Sequence, residues 1–191
     1  IANSHFTAAR IEAVYPWAAS RLRVIPRGCD EQALAPENFS AADKAAKRAA
    51  WGVDDSDFVI ICPARVTHLK GQHVLIAALG LLASDKKPKL VLVGSAQGRD
   101  DYVAALKNQA AALGYGDRLV MTGLETDMAS AYAAADLAIV PTIRPEPFGR
   151  TIIEAQAAGL PVIGSDAGGY RETIIAQSPA KGGTGWLARR T

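Results

Sequence analysis

Cysteine is scarce in this chain, an excess of one charge is missing, and long apolar runs are absent. Two cysteines, Cys29 and Cys62, are too few for a disulfide framework or a thiolate metal site. Cys62 also sits in the apolar run Val59-Ile60-Ile61-Cys62, where a thiol behaves as a small hydrophobe. The two signs of charge nearly cancel at a formal +2, which leaves no footprint for nucleic acid and no acidic tail. No run approaches the ~18 apolar residues of a membrane span. No basic stretch followed by an apolar segment marks a secretory leader. H-E-x-x-H, P-loop and G-x-S-x-G patterns are missing, and Gly94-Ser95-Ala96-Gln97-Gly98 is not the G-x-G-x-x-G of a dinucleotide site. At 49% hydrophobic and 21% charged residues, the composition is that of a globular, cytoplasmic protein.

What the chain does have is alternation. Strand-length apolar runs at 58–62, 90–93, 119–122, 137–140 and 162–164 are separated by helix-length segments at 71–83, 101–113, 128–135 and 149–159. In the first of these helices Val74, Leu75, Ala78, Leu79 and Leu82 are expected on one face. Gly52, Gly114 and Gly159 follow predicted helices as stop signals. Apolar strands alternating with helices predict an α/β protein with a parallel sheet covered on both faces. Right-handed crossovers then make it a doubly wound, Rossmann-like layer. Ahead of it the sequence predicts a helix within residues 1–20, capped by Ser4 or Thr7 and ending near Tyr15-Pro16. A short strand at 22–26 closed by an Arg27-Gly28 turn follows, then an irregular, linker-like stretch at 30–40 and a helix over 43–51. A short helix at 171–176 and a last strand at Trp186-Leu187 complete the expectation.

The chemistry gathers where these strands end. After the fourth strand comes Pro145-Glu146-Pro147-Phe148-Gly149-Arg150-Thr151-Ile152-Ile153-Glu154. The two prolines hold the backbone extended, so Glu146 falls on a loop and Glu154 early in the next helix. The backbone N–H groups near Gly149, Arg150 and Thr151 face the same cleft, and a helix start favours an anion. Two carboxylates and an amide cradle suit a ligand that carries hydroxyls and phosphates together, as a nucleotide-sugar does. Arg65 and Lys70, after the first strand, are placed to clamp a diphosphate, Arg bidentately and Lys as a point charge. His68 between them reads as structural or exposed. Gly94 gives a small turn that lets a ligand come close. Met121-Thr122-Gly123-Leu124 and the helix start at Asp127-Met128 fit either a cradle for a flat base or a plain turn with a core Met. Gly168-Gly169 implies close approach to a ligand or another domain. Asp55-Ser56-Asp57 precedes its strand, lies on the opposite edge, and reads as a turn.

Together these segments resemble the C-terminal, donor-binding domain of family 4 (group 1) retaining glycosyltransferases of the GT-B fold. The resemblance rests on Asn3-Ser4-His5-Phe6 with Val24-Ile25-Pro26-Arg27-Gly28-Cys29-Asp30, on Arg65…Lys70-Gly71, on Glu146-Pro147-Phe148-Gly149…Glu154-Ala155, and on Gly159-Leu160-Pro161-Val162 through Gly168-Gly169 and Glu172-Thr173. It departs at Ala64, where a Gly usually precedes the Arg, and at Cys29, where Val is usual. It implies that Arg65 and Lys70 bind the donor diphosphate and stabilise the departing nucleoside diphosphate. It also implies that Glu154 holds the ribose hydroxyls, that Glu146 contacts the transferred sugar, and that N–H groups from Phe148 to Thr151 complete the cradle. Gly94 and Met128 join the donor site in this reading. The family needs neither metal nor cofactor, the nucleotide-sugar being substrate. The resemblance implies that residues 1–40 are an interdomain segment left from a missing N-terminal acceptor domain. Residues 41–191 are then a donor domain truncated at its C-terminal end, able to bind but not to turn over. Two alternatives use the same cleft: a GT-B epimerase and a non-catalytic sugar-nucleotide binding module.

Overall fold

Six strands form one all-parallel sheet in the order β3-β2-β1-β4-β5-β6. They are β1 (Val59–Pro63), β2 (Lys89–Val93), β3 (Leu119–Gly123), β4 (Leu137–Val140), β5 (Val162–Ser165) and β6 (Gly185–Ala188). The computed structural model describes residues 1–82, 87–176 and 182–189. β1 is buried along its whole length, as a continuous apolar run in the middle of a parallel sheet must be. Its pleat sends alternate side chains to opposite faces, and each face has its own core. Ile60 and Cys62 pack with Leu75, Ile76 and Leu79 of α4 (Gln72–Gly80) and with Leu106 and Ala110 of α5 (Asp100–Ala112). Val59 and Ile61 pack on the other side with Trp51, with Tyr132 of α6 (Met128–Ala133) and with Ile152 and Ala155 of α7 (Arg150–Ala157). The doubly wound α/β expectation is therefore met. The chain builds β1, β2 and β3 outward in one direction, returns, and builds β4, β5 and β6 in the other. β1 and β4 flank the point where the order reverses, and in open α/β sheets ligands bind at the C-terminal ends of the strands there.

Gly52, Gly114 and Gly159 take φ of +65°, +62° and +77° just beyond their helices, the left-handed C′ geometry expected of them. Ser4 is the N-cap of α1 (His5–Val14), accepting from the Thr7 N–H. Helix α3 (Ala41–Ala50) starts two residues earlier than expected, because Ser40 and Asp43 close a capping box. Asp55-Ser56-Asp57 is the turn expected of it: the Asp57 N–H donates to the Asp54 carbonyl, and the Asp57 carboxylate accepts from the Asp54 N–H.

Several expectations need correction. Residues 22–26 form no strand; Val24 makes one parallel bridge to Ala2, and no turn closes at Arg27-Gly28. Residues 30–40 are not irregular. Asp30 caps the single turn α2 (Glu31–Leu34), a 3-10 turn follows at Pro36–Asn38, and Leu34 is buried in the core beside α6 and α7. In α4 the buried residues are Gln72, Leu75, Ile76 and Leu79, while Val74, Ala78 and Leu82 are exposed. Val-Leu-Ile-Ala-Ala-Leu offers two overlapping apolar stripes, and the helix docks on the one that lets Gln72 reach a backbone carbonyl. Ala83 lies outside the described residues. Helix α8 (Tyr170–Thr173) stops before Ile174, which turns extended and buries its side chain. Among the described residues no helix is long and apolar enough to cross a membrane.

Candidate functional site

Because β1 and β4 are neighbours, the chain leaving β1 (Ala64–Gly71) faces the chain leaving β4 (Pro141–Gly149). Buried polar side chains lace the two loops together. The Ile143 N–H and Thr142 Oγ1 both donate to the Leu69 carbonyl at 3.0 Å. Ser165, from the end of β5, donates to the Thr142 carbonyl at 2.8 Å. Gln72 Nε2 donates to the Arg65 carbonyl at 2.9 Å. Gly71, at φ +72°, completes the seam, since a Cβ there would overlap the Pro141 carbonyl. The bonds of Thr142, Ile143 and Ser165 join residues distant in sequence, and each satisfies a group that would otherwise be desolvated without a partner.

Two ion pairs stand on this scaffold. Lys70 Nζ lies 2.8 Å from Glu146 Oε2, both side chains about three-quarters buried. Lys70 has three protons and Glu146 about four lone-pair sites, so each keeps capacity for a further partner. The second pair is Arg150 Nη2 with Glu154 Oε1 at 2.9 Å, one turn apart on α7. Arg65 is exposed above the same edge, and its guanidinium joins no ion pair among the described residues. The N–H groups of Phe148, Gly149, Arg150 and Thr151 donate to no backbone carbonyl among the described residues. They point their partial positive charge outward at the start of α7. The Lys70–Glu146 pair, the Arg150–Glu154 pair, the 148–151 backbone and the exposed Arg65 thus all follow the C-terminal ends of β1 and β4, two carboxylates and their cations beside a helix start. That combination suits a ligand having both a polyanion and hydroxyl groups.

Gly149 holds φ +95° at the N-cap of α7, with the Tyr170 ring packed where its Cβ would be. Gly168 and Gly169 approach backbone rather than ligand. The Gly169 N–H donates to the Glu146 carbonyl at 2.8 Å, and a side chain on either glycine would overlap residues 145–148. Gly94 likewise has the Ala64 carbonyl where a Cβ would lie. On that side the room that it leaves is taken by the chain carrying Arg65. Met128 starts α6 half-buried against the core, and the side chain of its neighbour Asp127 caps the helix by accepting from Ser130.

Three features are not evident in the sequence. Tyr132, fully buried on α6, donates its hydroxyl to Glu154 Oε2 at 3.3 Å. Glu172 reaches the N-terminus of α1, its two oxygens each 2.7 Å from the N–H of His5 and of Phe6, while the Ser4 hydroxyl donates to the Pro147 carbonyl. Only the local signals, an N-cap serine and a glutamate after paired glycines, were legible beforehand. Third, His68 stacks on His73 of α4 with ring centroids 4.3 Å apart, and His73 Nδ1 lies 3.0 Å from the Tyr102 hydroxyl.

Burial, and secondarily the neighbouring His68, hold the His73 imidazole below its ordinary pKa of 6.5. The unfolded chain therefore binds more protons below about pH 6.5, so stability is whole above that value and declines as pH falls through it. Urea unfolding midpoints at about pH 7.5 and about pH 5.5 are expected to show this decline, and His73→Asn to reduce it. An unchanged slope in the variant would assign the effect to other groups.

Comparison with known proteins places the fold in a family. The family model for glycosyl transferases group 1 matches residues 43–191. A D-inositol 3-phosphate glycosyltransferase of Segniliparus rotundus is 32% identical over 180 residues, covering 93% of this chain and 39% of its own length. A glycosyltransferase of Rickettsia africae superposes with a TM-score of 0.90 at 28% identity, over 98% of this chain and 48% of its own. Anabaena HepE, solved with UDP and glucose, gives a TM-score of 0.86 at 32% identity, over the same two shares. The chain thus spans less than half the length of these relatives, and its sheet matches one half of their GT-B fold. A family match over residues 43–191, on the same parallel-sheet fold, shows that the chain belongs to the glycosyl transferases group 1 family.

Proposed function

We propose that this chain is the donor-binding half of a family 4, retaining glycosyltransferase that moves a sugar from a nucleoside diphosphate to an acceptor. The observation that carries the reading is the Lys70–Glu146 pair beside the open N-terminus of α7, at the switch point of the sheet. In this reading Arg65 and Lys70 hold the diphosphate and neutralise the charge that grows on it as the sugar leaves. The N–H groups of residues 148–151 hold the same anion by backbone dipoles. Glu146, already paired to Lys70, accepts from hydroxyls of the transferred sugar, and Glu154 accepts from the ribose. Glu146 is not the nucleophile here, and attack on the face that the leaving group vacates gives retention. The donor set supplies its positive charge from side chains and a helix terminus, so the reaction is assigned no metal and no cofactor. Anabaena HepE, solved with UDP, makes UDP the first base to test. The acceptor is assigned to a further domain outside residues 1–191, a reading supported by the length of the relatives, so this chain alone binds without turnover. Free thiols at Cys29 and Cys62 suit a cytoplasmic setting.

Calorimetric titration of the chain with UDP, GDP and ADP in EDTA is expected to show saturable binding of one of them. Binding that appears only when magnesium is supplied would overturn the metal-independent part. Binding of none of the three, with or without magnesium, would overturn the donor reading.

A further inference from the structure

We infer that Tyr132, from α6, is a positioning residue for ribose recognition: its buried hydroxyl holds Glu154 of α7 in the orientation that accepts the nucleotide's 2′ and 3′ hydroxyls. The inference rests on the donor reading above and adds to it a residue that no motif supplied.

The geometry carries it. Glu154 sits five residues into α7, with its side chain about four-fifths buried. A glutamate has three side-chain torsions, and holding them in one arrangement has an entropic cost. Here each carboxylate oxygen has a donor: Arg150 Nη2 at 2.9 Å on Oε1 and the Tyr132 hydroxyl at 3.3 Å on Oε2. The two donors are unlike. Arg150 is on the same helix and its side chain is more than half exposed, so it moves and is screened by solvent. Tyr132 is fully buried in the core between the sheet, α6 and α7. Its ring cannot follow a moving carboxylate, so it fixes where the carboxylate points. With one donor on each oxygen, about one lone pair remains free on each. That leaves room for two hydroxyls side by side, which a cis-diol presents and a single hydroxyl does not. Burial, and then the Glu154 charge, push the tyrosine pKa far up. The phenol consequently stays protonated, and a donor, around neutral pH.

A core role alone would make Tyr132 indifferent to ribose, and the test separates the two. The chain is titrated with UDP (or whichever of UDP, GDP and ADP binds) and with its 2′,3′-dideoxy counterpart, before and after Tyr132→Phe. Tyr132→Phe keeps the ring and removes the one hydroxyl. It is expected to weaken the ribonucleotide about fivefold, equivalent to ~1 kcal/mol, and to leave the dideoxy ligand unchanged. Glu154→Gln, which leaves the core intact, is expected to lose the same ribose-dependent increment. The double variant is expected to lose little more than Glu154→Gln alone, because the two act as a unit. Unchanged ribonucleotide affinity in Tyr132→Phe overturns the inference, as does equal weakening of both ligands. If Tyr132→Phe does not fold, Glu154→Gln decides, since equal affinity for the ribo and dideoxy forms in the native chain, unaltered by Glu154→Gln, also overturns it. Failure of the native chain to bind any nucleoside diphosphate is a different result, and overturns the donor reading itself.

Discussion

Replacing Gly149 by alanine is expected to cost about 3 kcal/mol of folding free energy, combining ~1–3 kcal/mol for overpacking with ~1–2 kcal/mol for an L-residue at left-handed φ. The chain at Gly149 has φ +95°, and an added Cβ would overlap Cε1 and Cδ1 of Tyr170. Tyr170 is itself buried, against the core under α7, so the ring has nowhere to swing. The start of α7 must then lift, which carries the N–H groups of residues 149–151 away from the cleft. Nucleotide affinity should accordingly fall more than stability alone dictates. Gly159→Ala is the control. Gly159 has a similar φ of +77°, but an added Cβ would meet only Pro36, 3.5 Å away. Its cost should be about 1 kcal/mol with no effect on binding, since it keeps the conformational penalty and lacks the clash. Denaturant unfolding of the two variants measures the difference, and equal losses would mean that the Tyr170 contact contributes nothing.

The second large effect is on binding. Lys70→Ala is expected to weaken UDP about 100-fold, or ~2.7 kcal/mol, while changing uridine little. A charge-assisted hydrogen bond supplies ~1.5–3 kcal/mol, and its loss also leaves Glu146 facing the diphosphate without its counter-charge at 2.8 Å. Two effects of the same sign therefore fall on the phosphates and none on the base. Glu146→Gln should behave oppositely, leaving UDP unchanged or tightened a fewfold while removing a charged acceptor from the sugar. Calorimetry with UDP and uridine distinguishes these outcomes. An equal loss for both ligands would place Lys70 outside the diphosphate site.

How much of this was legible beforehand differs between the fold and the site. β1, β2 and β4 announce themselves because a strand buried on both faces must be apolar at every position, and no other short segment has that need. The stops at Gly52, Gly114 and Gly159 were equally plain, since a left-handed residue after a helix is most cheaply a glycine. The segment from Glu146 to Glu154 could be placed because prolines and a glycine restrict its backbone locally. The partners of Ser4, Tyr132, Thr142 and Ser165 could not. They are carbonyls and carboxylates far away in the chain (143 residues in the case of Ser4 and Pro147), and no periodicity records such pairs. Val74 and Leu82 were misplaced for a related reason. A helix apolar on more than one side leaves the choice of buried face to its neighbours.

The tie between α1 and the loop of Glu146 has a mechanical consequence. Glu172 grips two successive N–H groups at the start of α1, and Ser4 beside them grips the Pro147 carbonyl. The peptide so gripped adjoins Glu146, whose own carbonyl is held from the other side by the Gly169 N–H. Helix α1 is thus fastened at its N-terminus, through Ser4 and Glu172, to the segment whose Glu146 pairs with Lys70. The loop of Glu146 is therefore clasped from two sides, by the start of α1 and by Gly169, although the three segments lie far apart in sequence.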